Sequence, residues 1–124
     1  MPSISERRDA LVSFLTAVRQ FRRFLMYSDL TFEIVPATPE SKGTVLVEGR
    51  NAFDAAVDEA YTRLMIVAGS EEIIEEAGQL TTRLNDFIRI RAERGKGNVP
   101  NLVIREFREA ERRFARGARV ELER

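Results

Sequence analysis

Five arginines repeat along the last predicted helix: Arg105, Arg108, Arg112, Arg116 and Arg119, at intervals of 3, 4, 4 and 3 residues. At about 100° per residue, that spacing lays them on one helix face. Val103, Phe107, Ala110, Phe114 and Ala118 fall on the opposite face. One side of this helix is therefore expected to be buried and the other to present guanidinium groups. A guanidinium stays charged and grips carboxylates and phosphates with paired donors, so the chemistry on offer is anion recognition. The stripe climbs about 21 Å at about 1.5 Å per residue. Glu109 and Glu111 flank it, and residues 101–124 carry seven Arg and five Glu, a net charge of +2. Three readings follow, in order: a solvated charged face, a docking strip for an acidic protein surface, and a seat for phosphate backbone. No aromatic residues interleave with the arginines to stack bases, which places nucleic acid last.

A second cluster, Glu71, Glu72, Glu75 and Glu76, sets four carboxylates in two helical turns. It is able to seat a cation or a basic partner. The helix dipole gives a simpler account. The cluster follows Ser70 at a helix start, where negative charge is favoured, and Arg89, Arg91 and Arg94 stand at the far end, where positive charge is favoured. A cation held only by neighbouring carboxylates on one helix would be weakly bound and solvent-exposed. The acidic and arginine clusters are complementary and lie on different helices, so they are candidates to meet between protomers.

Arg19, Arg22 and Arg23 make a third cluster, beside Phe24, Met26 and Tyr27. Some of these apolar residues, with Ile66 and Ile90, fall off the main apolar faces and are candidates for an oligomer interface. Gly95-Lys96-Gly97 resembles a fragment of a phosphate-binding loop. It lacks the further glycine spacing, the hydroxyl and the preceding strand, and reads as a mobile basic turn.

Composition removes much of catalysis. The 124 residues contain no Cys, His or Trp. That excludes disulfides, thiolate nucleophiles, zinc–thiolate sites, and histidine as general base or metal ligand. No Glu-x-x-His pair exists to build a di-iron bundle. No catalytic motif marks a serine or threonine, so an enzyme would need a pocket of carboxylates with Tyr27 or Tyr61. No cofactor or metal is expected. Net charge is zero, whereas dedicated nucleic-acid binders are usually strongly basic. The basic residues are 18 Arg and 2 Lys, a bias that arginine-rich coding in a GC-rich genome explains without function. No stretch is apolar enough to span a membrane, and the N-terminus does not read as a secretory signal, so a cytoplasmic location is expected.

The elements that must position these clusters are four helices in one domain, 1–124. The first runs from Ile4 to Tyr27, with Ser3 and Glu6 at capping-box spacing and Leu11, Phe14, Leu15, Val18, Phe21 and Leu25 inward. Residues 28–50 break the pattern with Pro36, Pro39, Gly43 and Gly49. Within them Thr31–Val35 and Thr44–Glu48 are β-branched and read either as a short hairpin or as an extended loop with two hydrophobic anchors. The second helix is expected to be capped by Asn51 and to end at Gly69, with Phe53, Ala56, Val57, Ala60, Leu64 and Val67 inward. Ser70 is expected to cap the third, which turns Ile73, Ala77, Leu80, Leu84, Phe87 and Ile88 inward. Asn101 is expected to cap the fourth. Short connections after the second and third helices predict an all-α, antiparallel up-down four-helix bundle with one long first connection.

The stretch Ala60-Tyr-Thr-Arg-Leu-Met-Ile-Val-Ala-Gly-Ser-Glu-Glu-Ile-Ile-Glu-Glu-Ala77 resembles a hairpin found in small uncharacterised bacterial helical proteins, most clearly actinobacterial ones. Phe107-Arg-Glu-Ala-Glu-Arg-Arg113 and Arg119-Val-Glu-Leu-Glu123 are similar to their final helix. The resemblance covers about residues 51–123. It implies a helical bundle and carries no activity or site. The function expected from the sequence is non-catalytic: contact with a protein partner or with copies of itself, and alternatively nucleic-acid or anion binding by the arginine stripe, with no membrane role.

Overall fold

Ser3 starts the first helix, α1 (Ile4–Tyr27), in the way its sequence predicts. Its hydroxyl accepts the Glu6 N–H at 3.0 Å and donates to the Glu6 carboxylate at 3.3 Å. In the computed structural model, residues 2–28, 32–35, 44–47 and 50–123 are described, with side chains over 2–28 and 52–123. After α1 come two short strands, β1 (Phe32–Val35) and β2 (Thr44–Val47). They pair antiparallel, Phe32 opposite Val47 and Val35 opposite Thr44, so the hairpin alternative is the one formed. Pro36, Pro39, Gly43 and Gly49 lie outside the described residues. The remaining helices are α2 (Arg50–Val67), α3 (Glu71–Arg94) and α4 (Asn101–Glu123).

Ring contacts fix the helix directions. Phe14 meets Tyr61 at 5.9 Å and Phe21 meets Phe53 at 5.4 Å, so α1 and α2 run antiparallel. Phe87 meets Phe107 at 5.6 Å, while Ser70 at the start of α3 reaches Glu121 at the end of α4. Those two are antiparallel as well. Phe14 also stacks on Phe114 at 5.2 Å, tying the α1/α2 pair to the α3/α4 pair. The result is the up-down four-helix bundle that the short connections require. Its core contains Phe14, Phe21, Phe87, Phe107 and Phe114, all essentially without solvent contact. Every residue predicted inward on α3 is buried. On α2 the expectation fails at Ala56, which is exposed.

Three cap expectations also need correction. Ser70 occupies the position before α3, but its hydroxyl caps nothing and instead donates to Glu121 at 2.7 Å. Asn101 is already helical. The Pro100 carbonyl ahead of it accepts the Val103 and Ile104 N–H groups at 3.0 and 3.3 Å. Asn51 likewise lies inside α2, which starts at Arg50. At Asn101 the residue ahead of it took the role, and helix boundaries commonly shift by a residue or so in this way. The Gly95–Asn98 turn closes on an Asn98 N–H to Gly95 carbonyl bond of 3.2 Å. Gly95 and Gly97 have φ of 85° and 80°, a region glycine enters without steric cost.

Candidate functional site: the charged face of the last helix

All five stripe arginines are exposed on α4. Their neighbours divide them. Glu109 takes Arg116 at 3.1 Å and Arg112 at 3.7 Å, two surface pairs on the same helix. Arg105, Arg108 and Arg119 have no acidic partner among the described residues. Arg105, Arg108 and Arg112, with Asn101 and Ile104, line a recess of about 350 Å³ on the first half of α4. Of the three arginines without an acidic partner among the described residues, Arg105 and Arg108 lie in the first half of α4 and Arg119 near its C-terminal end.

The acidic cluster does not stay together. Glu71, Glu72 and Glu75 are exposed, whereas Glu76 turns toward α4. Its carboxylate lies over Gly117, where a Cβ would collide with it. Its Oε2 is buried without a hydrogen-bond partner. Burial pushes the Glu76 carboxyl above its ordinary value; Arg113 and Arg116 pull it back in part, and Glu72 and Glu75 add to the rise. Glu76 is therefore committed to its own chain. Among the described residues no group of three or more acidic side chains is arranged to hold a metal ion.

The third cluster is largely internal. Arg22 is buried, not surface-presented, and its Nε donates to Glu111 Oε1 at 2.6 Å. Arg19, half-buried, donates to the other oxygen of Glu111 at 3.3 Å. Phe24 stacks on Phe53 at 4.4 Å, and Met26 packs on the core. Only Arg23 and Tyr27 remain exposed from this group.

Sequence reading missed the buried charges. Besides Arg22 and Glu111, Arg91 and Glu121 are buried. Arg91 donates to the carbonyls of Leu25 and Ser28 at 2.8 and 3.2 Å, closing the open carbonyl end of α1. Glu121 accepts the Gly69 N–H at 2.6 Å and the Ser70 hydroxyl, closing the turn between α2 and α3. A signal was available. Glu111 follows Phe107 by four residues and Glu121 follows Phe114 by seven, so both sit in the apolar stripe of α4.

Fold and charge pattern together define a four-helix bundle with ionic clamps inside and an open arginine face outside. No protein-family model, no curated protein and no solved structure matches the chain. No described helix is long and apolar enough to cross a membrane.

Proposed function

We propose that the protein is a non-catalytic interaction module, working through other protein chains and its own copies, with the arginine face of α4 as a docking strip for an acidic surface. The observation that supports this is the exposure of all five arginines, three of them without an acidic partner among the described residues. Like charges held in a row cost an isolated helix a few tenths of a kcal/mol per pair, a cost that an acidic partner removes. In the self-associating form the exposed Glu71, Glu72 and Glu75 of a second copy supply that acidic surface. Light scattering at low and high salt tests the proposal, since contacts between exposed charges weaken with screening. The expected result is a particle larger at low salt than at high salt, a difference that the Arg112→Glu/Arg116→Glu variant loses. A particle size that responds to neither salt nor charge reversal removes the self-associating form.

The recess lined by Arg105, Arg108 and Arg112 supports a second reading, binding of nucleic acid or another anionic ligand. Phosphate contacts are strongest at low ionic strength, so the wild type should be retained on heparin or duplex DNA at about 50 mM salt. No retention there excludes it.

A further inference from the structure

The outer side of α2 carries a pattern that the arginine face does not explain. Ala56, Glu59, Arg63 and Ile66 are all exposed and stand 3, 4 and 3 residues apart, the spacing of a helix–helix seam. Ile66 is 75% exposed, the most open of the large apolar side chains among the described residues. Toward α1 runs a groove of about 400 Å³, with Val12 and Ala17 beside the polar Ser13, Thr16 and Gln20 on its α1 wall and Ala56, Glu59, Ala60 and Arg63 on its α2 wall. Glu59 precedes Arg63 by four residues, the favourable order for an ion pair within a helix. They nevertheless do not pair, and neither has an ionic partner among the described residues.

We propose that this face binds a second copy of the chain, with the two α2 helices packed antiparallel about a two-fold axis. The register is set by charge. An axis midway between the two charged residues places Glu59 opposite the second copy's Arg63, and Arg63 opposite the second copy's Glu59. The same axis places Ile66 opposite the second copy's Ala56, because both pairs are centred on one point of the helix. A bulky exposed side chain then packs over a small one at the edge of the groove, twice, as an isologous contact requires. An unrelated apolar partner has no need of an acid and a base at mutually complementary positions; a copy of this chain supplies both. This face is separate from α4, so the inference does not rest on the docking strip.

Sedimentation equilibrium of the full chain tests it. Wild type is expected at twice the 14.2 kDa chain mass. Glu59→Arg and Arg63→Glu, each alone, place like charges at both contacts and should give monomer mass. Mixed in equal amounts, the two variants should recover the dimer, since each carries the charge the other lacks. Ile66→Ala should shift wild type toward monomer. All these positions are exposed, and circular dichroism checks that the helices persist. A monomeric wild type, single charge variants that remain dimeric, or a mixture that stays monomeric overturns the proposal. The Arg112→Glu/Arg116→Glu variant leaves α2 intact and should keep the dimer. A dimer lost in that variant and retained in the α2 variants overturns this inference while supporting the α4 reading.

Discussion

Burial turns individual charged side chains of this bundle into structural parts. Glu111 serves two arginines, and Arg22 reaches it at 2.6 Å in a buried setting. Removing one partner of a buried pair strands the other charge. Glu111→Leu is therefore expected to cost about 3–5 kcal/mol in urea unfolding, while adding Arg22→Met should recover most of that loss. Glu76 gives the opposite case, a half-buried carboxylate with one oxygen unpartnered. Its raised folded pKa means that folding favours the protonated form. The stabilisation that Glu76 brings is thus complete below the ordinary carboxylate range and lost as pH rises through its folded pKa. Glu76→Gln, neutral throughout, should lack this loss. Thermal melts across pH should show the variant gaining on wild type from acid toward neutral pH; parallel curves would contradict the assignment.

Helix ends are where element and neighbour meet. The α2–α3 turn holds together because a carboxylate from the far end of α4 accepts Gly69 N–H and Ser70 hydroxyl. Glu121→Ala leaves both donors without that acceptor and is expected to cost about 1–3 kcal/mol. Chemical denaturation of Glu121→Ala, Ser70→Ala and the double variant separates the roles. Ser70→Ala should cost less than Glu121→Ala, since it leaves the Gly69 bond intact, and the double variant should fall well short of the sum. A Ser70 that acted as a cap of its own helix would give additive losses. The capping box at Ser3 differs because its partners are local: residues three apart in sequence bond each other whatever packs nearby. Local bonds were legible in the sequence, and Ser70 was misread because its partner lies 51 residues away.

At the scale of the whole molecule, two outward faces are proposed to meet partners: the arginine strip of α4 and the seam of α2. They differ in what drives them. Contacts along exposed arginines respond to salt, whereas the proposed packing of Ile66 over Ala56 would be driven by apolar burial. Low and high salt therefore report mainly on the first, and the mixed charge variants report on the second. The bundle between them is stiffened by side chains that cross from pair to pair, Phe14 onto Phe114 and Arg22 onto Glu111.

The four helices, their inward apolar residues apart from Ala56, and the opposition of the arginine stripe to the core were determined by the sequence itself, because helical periodicity sorts residues by face before any tertiary contact forms. Arg105 through Arg119 are exposed for that reason alone. Tertiary packing decided what periodicity leaves open. Arg22 and Arg91 on other helices, and Glu111 and Glu121 within the apolar stripe of α4, entered the interior because each found an opposite charge or an unpaired backbone group waiting there. Glu76 left its cluster because Gly117 gave it room. A charge can be buried only where a second element satisfies it, and which element arrives is a property of the assembled bundle.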